Sequence, residues 1–380
     1  MISITPIERP ALVIDRRKEA QHPGPGVPSR AELILLWLVA AVCFVVVINH
    51  FQPYSAMVDT FGDNGAYISA ATAIQHWDFR GVHTKQGWGL SYLIAFFSWF
   101  HLSPHLSLLL IRMASSMASV LLVQSLWGGW IAAFFAILSF DWLQVSLLGG
   151  AEPLFVLLIL SSFWFSRKER WLPASLVAAL ATIVRPLGVF ALLAIGLHLS
   201  LRRDFKKAFL CTAIAMVVAA LYVLPFWLYF HDPLYQFHRY QQADWQSGFV
   251  IGWPFRAIAL AFWHNREPRT NVIFTAGWLA FAVLGAWRMT GKGYRQYMLE
   301  HGNEYIFAVC YMMFLFCYNS VHWARAEFPR FVIPALPFLL LAFDHWLPKS
   351  RYVTYSLSVV SSALGACSAV GIRNVMGALR

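Results

Sequence analysis

The sequence predicts an all-α polytopic transmembrane protein, and three observations carry that prediction. Mean hydropathy is +0.58, with 59% hydrophobic and 12% charged residues, far outside the soluble globular range. Apolar residues fall in runs near the length that crosses about 30 Å of hydrocarbon. Lys and Arg cluster between those runs, so the net charge of +11 marks cytoplasmic loops rather than a nucleic-acid surface. Cys43, Cys211, Cys310, Cys317 and Cys367 all lie inside apolar stretches without ligand spacing and read as small buried apolar residues.

Met1 to Arg30 is polar, contains QHPGPGVPSR and carries Arg16, Arg17 and Lys18. That is the composition of a disordered cytoplasmic tail, not of a cleavable signal. The run Glu32 to His50 is then the first span, and the basic tail places the next loop, VDTFGDNGAY, outside. Asn64 to Trp77 carries Ala66, Tyr67, Ala70, Ala73, Ile74 and Trp77 at helical spacing, as in a helix lying on the outer leaflet. Trp88 to Phe100 is apolar but short for a span and reads as a second juxtamembrane helix.

His105 to Trp127, Trp130 to about Leu147 and Glu152 to Phe165 then cross inward, outward and inward, with Gly128 and Gly129 at the inner turn. Arg167, Lys168 and Arg170 mark the inner side, and so do Arg202, Arg203, Lys206 and Lys207. The stretch between these clusters must therefore cross twice, as Trp171–Val184 and Leu187–Ser200. Proline ends the first of these at Arg185-Pro186, where an arginine sits at the outer interface instead of in hydrocarbon. Ala208–Phe230, Asn271–Trp287, Tyr305–Val321, Phe331–Leu347 and Tyr352–Val370 bring the total to about eleven spans. The expected layout is one transmembrane domain, 31–370, with outer loops 51–104, 231–269 and 322–330.

Polar residues gather on the outer face. Asp59 and Asp63 follow the first span, Glu152 stands at the mouth of another, and Arg185 marks the short turn. Arg330 lies in the third outer loop, and HDPLYQFHRYQQADW supplies His231, Asp232, His238 and Trp245. Transfer of a sugar from a polyprenyl phosphate needs a carboxylate that takes a proton from a hydroxyl and a cation that stabilises the departing phosphate. Arginine suits the second task through paired contacts to phosphate oxygens. Simpler roles stand beside these. The aspartates, near Gly62 and Gly65, are also good turn formers or helix caps. Glu152 is also a favourable helix N-terminal acid, and Arg185 is able to snorkel to the interface. The tryptophans form an aromatic belt, with Trp245 in the loop a candidate for stacking on a sugar. His231 and His238, at helical spacing, are either metal ligands or plain hydrogen-bonding residues.

In this order of features the chain resembles the GT-C superfamily of integral membrane glycosyltransferases, especially members similar to PIG-V-type and protein-mannosyltransferase-type enzymes. The likeness is carried by GDNGAYISAATAI, AEPLFVLLIL, ATIVRPLGVF, HDPLYQFHRYQQADW and PRFVIPALPFLL, and runs from Leu33 to about Leu347. It implies a catalytic acid in the first outer loop, matched best by Asp63 and second by Asp59. It also implies a polyprenyl-phosphate-linked donor with mannose as the default sugar, and a location in a bacterial inner membrane. By the same likeness Arg185 contacts the lipid phosphate and Glu152 lies at the site's outer entrance. Tyr67, Glu152, His231, Asp232, Trp245 and Arg330 are the candidate substrate-binding residues.

The chain departs from the pattern in two places. Trp88-Gly89 stands where relatives often have a proline, and the two aspartates are four apart where relatives often have adjacent acids. That spacing would align both on one face of a helix, which Gly62 argues against. A divalent cation, Mg or Mn, serves some relatives and not others, and a set of Asp63, Glu152 and His231 is one combination open to it. The expected activity is inverting glycosyl transfer to a lipid, glycan or protein acceptor. A transporter or flippase of a lipid-linked saccharide is the alternative, and would show repeat-related halves and charges near the midplane. An assembly partner without catalysis is a third class, one that would tolerate loss of Asp63 and Arg185.

Overall fold

The computed structural model describes residues 26–79, 82, 86–243, 251–263, 269–291, 294, 297, 299–319 and 327–371. All regular secondary structure among them is helical, as the sequence predicts. The chain opens with α1 (Arg30–Phe51), whose start is fixed by a capping box. The Ser29 hydroxyl accepts from the Glu32 N–H at 3.2 Å, and the Glu32 carboxylate accepts from the Ser29 N–H at 2.7 Å. Next come α2 (Tyr54–Thr60), α3 (Asn64–His76) and α4 (Gly89–Ser98). They form the first inter-span segment, with α3 and α4 packed on each other. The missing proline does not prevent the aromatic helix, since α4 starts directly after Trp88. Trp77, expected on the apolar face of α3, instead ends that helix in the left-handed region (φ 53°) and is exposed.

The middle of the fold is α5 (Pro104–Trp127), α6 (Gly129–Ile137), α7 (Phe140–Leu147), α8 (Glu152–Arg167), α9 (Trp171–Val184), α10 (Val189–Leu201) and α11 (Phe205–Phe230). Here the outward run expected from Trp130 to Leu147 is not one straight span, because α6 and α7 meet at 72°. Ser139 causes the break. Its backbone is extended (φ −93°, ψ 110°) and its hydroxyl accepts from the Trp142 N–H at 3.4 Å, which starts a new helix inside an apolar run. The hairpin at Arg185 matches the expectation. Arg185 leaves α9 in an extended conformation, Pro186–Gly188 makes one 3₁₀ turn, and α10 returns. Gly188 lies against the Ala181 and Thr182 backbone, where a Cβ would collide; only glycine permits so tight a turn.

The remaining helices are α12 (Tyr235–Ala243), α13 (Arg256–Trp263), α14 (Arg269–Met289), α15 (Gly302–Cys317), α16 (Phe328–Val332), α17 (Leu336–Ala342) and α18 (Arg351–Val370). The stretch expected to cross as Phe331–Leu347 is broken into short pieces around Pro334 and Pro337, which remove helix donors. By length and hydropathy, α1, α5, α11 and α18 are candidate spans, and the bent pair α6–α7 is a fifth. Shorter apolar helices, α9, α10 and α15 among them, complete the polytopic bundle.

Burial is uneven. α8 packs between α5 and α9, and α9 packs on α11. Half of the most apolar window of α5 is buried, against 11% of that of α11, where only Cys211 and Phe226 are covered. Cys211 is buried as expected, whereas Cys43, Cys310, Cys317 and Cys367 are only half-buried.

Candidate functional site

The segment between α2 and α3 separates the two aspartates. Gly62 takes φ +54° and interrupts the helix there, so Asp59 and Asp63 do not share one helical face. Asp59 lies on α2, mostly exposed, with its carboxylate 3.3 Å from Nδ1 of His105 near the start of α5. Asp63 occupies the N-cap position of α3 but does not cap it; its Oδ1 accepts from Gln86 Nε2 at 2.8 Å. The next residue, Asn64, accepts from Arg112 at 3.3 Å. Arg112 lies two turns beyond His105, about 10 Å along α5. The segment therefore descends alongside α5, and Asp63 lies deeper than Asp59.

Glu152 is the first residue of α8 and is fully buried. Its Oε1 accepts from both Arg185 Nη1 and Arg330 Nε. Arg330, from α16, also reaches Glu327 at 3.3 Å, and the Arg185 guanidinium lies 4.6 Å from the centre of the Phe331 ring. The Glu152 side chain is 1% exposed while those of Arg185 and Arg330 are 18% and 15% exposed. Glu152 is thus the floor of the cluster, not its entrance, because a buried carboxylate persists only where cations compensate it. Glu152 Oε2 has no hydrogen-bond partner among the described residues and presses on Gly150, where a Cβ would overlap it.

Tyr67 ties the two halves together. It is buried on α3, its phenol lies within electrostatic reach of Asp63, Glu152, Arg185 and Arg330, and burial holds it protonated, above its ordinary pKa. The phenol therefore keeps its proton and remains a hydrogen-bond donor. Asp63, Tyr67, Glu152, Arg185 and Arg330, predicted from separate parts of the sequence, therefore form one constellation.

The loop after α3 is fitted to it by glycine. A Cβ on Gly87 would lie 2.6 Å from the Ile183 carbonyl oxygen, and one on Gly89 would lie 2.7 Å from the Val184 nitrogen. The Gln86–Gly89 backbone thus lies directly on the residues that precede Arg185. Gln236 of α12 donates to the Gln86 carbonyl at 2.9 Å and accepts from Tyr222, whose oxygen in turn accepts from the Trp88 N–H at 3.1 Å. Tyr235 stacks on Phe230 at 3.9 Å and donates to the Val82 carbonyl at 3.0 Å. α12 is thereby docked beside Asp63.

His231 and Asp232 are placed differently. His231 ends α11 in the left-handed region (φ 54°), exposed and outside α12, so the helical spacing to His238 is interrupted. His238 instead contacts Asp232 at 2.8 Å, and this bond holds the Asp232 carboxyl below its ordinary pKa. Trp245 lies outside the described residues. Among the described residues, no three His, Cys, Asp or Glu gather as metal ligands; Asp63, Glu152 and His231 do not come together, since Glu152 is taken up by two guanidiniums.

Sequence reasoning missed Gln86, Asn64 and Arg112. Arg112 is fully buried within α5, and a cation inside an apolar run was a legible signal. Gln86 and Asn64 carry no such signal.

The family model for glycosyltransferase family 87 matches residues 89–317, more than half the chain. The chain belongs to glycosyltransferase family 87. It is a membrane glycosyltransferase of the GT-C type, the class its motifs resemble, although the match does not name the PIG-V-type subgroup. Comparison with curated proteins and with solved structures gives no match. Glu152, Arg185, His231 and Asp232 lie within the stretch matched to family 87, whereas Asp59, Asp63, Tyr67 and Arg330 lie outside it.

Proposed function

We propose that this glycosyltransferase moves a sugar, mannose by family likeness, from a polyprenyl-phosphate donor to an acceptor hydroxyl, with inversion, at the outer face of the membrane. The single observation that carries the reading is that Gln86 holds Asp63 while the adjoining Gly87–Gly89 backbone lies on Ile183 and Val184, next to Arg185 of the Glu152–Arg185–Arg330 cluster. Asp63 takes the proton from the acceptor hydroxyl as its oxygen attacks the anomeric carbon. The bond from that carbon to the phosphate oxygen breaks, and the polyprenyl phosphate leaves with the electron pair. Arg185 and Arg330, anchored from beneath by Glu152, hold the leaving phosphate, and the Tyr67 phenol donates to one of its oxygens. Asp59 stays outside the reacting centre, paired with His105. The basic clusters at Arg167–Arg170 and Arg202–Lys207 support an N-terminus in the cytoplasm and a site facing outward.

The test is transfer of labelled sugar from a panel of polyprenyl-phosphate donors. Asp63→Asn should lower transfer about 10²- to 10⁴-fold, leaving a measurable residual rate, while remaining folded, and Asp59→Asn should keep it within about threefold, the size of effect left by surface substitutions away from a site. Full activity in Asp63→Asn would sink the assignment of the base. Binding of lipid-linked sugar without transfer by the wild-type chain would favour the transport reading.

A further inference from the structure

The turn from Leu147 to Glu152 joins α7 to α8, and the last carbonyls of α7 need partners from elsewhere. Three side chains supply them. Tyr54 and Arg112 (at 3.4 Å) donate to the Leu147 carbonyl, and Asn64 Nδ2 donates to the Leu148 carbonyl at 2.7 Å. The same Asn64 amide also donates to the Val58 carbonyl at 2.7 Å, and its Oδ1 accepts from Arg112 Nη1 at 3.3 Å. Every polar atom of this buried side chain is in use. The fit leaves no space, since a Cβ on Gly149 would lie 2.5 Å from Asn64 Oδ1. One residue further, Gly150 is pressed in the same way by Glu152.

We infer that Asn64 is a positioning residue for glycosyl transfer, setting Asp63 in register with the Glu152–Arg185–Arg330 cluster through the Gly149-Gly150 turn. The inference rests on the functional reading above and deepens it. Asn64 is bonded to Asp63 in the chain, and its side chain is clamped to the turn that carries Glu152. Arg112 fixes both from behind: its charge lies within electrostatic reach of Glu152, and its guanidinium bonds Asn64 and the Leu147 carbonyl together. Asn64 touches no reacting atom in this scheme; it acts by fixing where the base stands relative to the phosphate.

Two variants disturb the clamp by opposite means. Asn64→Ser removes the amide and leaves the backbone alone, while Gly149→Ala keeps every polar group and pushes the amide aside. In purified, folded full-length protein each should lower kcat roughly 10- to 100-fold, the range expected when a reacting group is displaced by about 1 Å. The donor KM should stay within about threefold, because the cations are untouched. The decisive readout is non-additivity: combined with Asp63→Asn, neither variant should reduce kcat further, because a misplaced base and a missing base are the same loss. Wild-type kcat in folded Asn64→Ser, or a fully multiplicative loss in the double variants, overturns the inference. If Gly149→Ala fails to fold, Asn64→Ser and its double variant decide it alone. Wild-type turnover in Asp63→Asn by itself overturns the reading beneath it instead.

Discussion

Replacing Glu152 by glutamine separates stability from function. One buried carboxylate oxygen serves two guanidiniums, so Glu152→Gln keeps an oxygen able to accept from both but leaves two cations facing a neutral group. Removing one partner of a buried ion pair costs about 3–5 kcal/mol. An unfolding entropy of about 2.1 cal/mol/K per residue gives about 0.8 kcal/mol/K for 380 residues. The melting temperature of the detergent-solubilised protein should therefore fall by about 4–6 °C. The triple variant Glu152→Leu, Arg185→Met, Arg330→Met removes the buried cluster and costs only Glu327, whose side chain is 36% exposed, its arginine partner; such replacements of buried ion pairs are often neutral or stabilising. It should melt within about 2 °C of wild type or above it and show no sugar transfer. A Glu152→Gln protein that melts at the wild-type temperature would refute the claim that an ionised carboxylate anchors both arginines. An active triple variant would refute the assignment of the cluster to the donor phosphate.

Gly87→Ala and Gly89→Ala drive a Cβ into the Ile183 and Val184 backbone, and should raise the donor KM about tenfold by shifting Arg185, measured by initial rates against donor concentration. Tyr67→Phe removes one hydrogen bond to a charged phosphate, worth about 1.5–3 kcal/mol, and should lower kcat/KM about 10- to 100-fold with no change in melting temperature. At the other end of α8, Arg167 donates to both oxygens of buried Glu304, at 2.6 and 2.8 Å, about 22 Å from Glu152 along the helix. Arg167→Met should cost about 3–5 kcal/mol of stability and leave transfer at low temperature within about threefold of wild type.

The break at Arg185-Pro186 between two short apolar helices was legible because two kinds of signal agreed there: basic clusters on both flanks and a proline between them. The break at Ser139 was not, because a serine in an apolar run leaves the hydropathy of a span intact while its hydroxyl starts a new helix. Pro334 and Pro337 were visible, yet their spacing alone did not reveal how far they fragment the stretch from Phe331 to Leu347. Asp63, Tyr67, Glu152, Arg185 and Arg330 could be nominated singly, since each is a polar residue next to an apolar run. Their grouping depends on pairs such as Glu152 with Arg330, far apart in sequence, which no local pattern records. Asn64 and Gly149 lay deeper still, since what makes them matter is the absence of room between them.

The sharing of one Glu152 oxygen by two arginines has a consequence for how a ligand arrives. An anion that draws Arg185 away leaves Arg330 still on the carboxylate, and the reverse holds equally. With either arginine drawn away, the buried carboxylate therefore keeps one guanidinium partner. A site with one arginine per acid would have to break its pair outright before receiving anything. Under the proposed function the third member is a placeholder, and release of the phosphate would follow the same route in reverse.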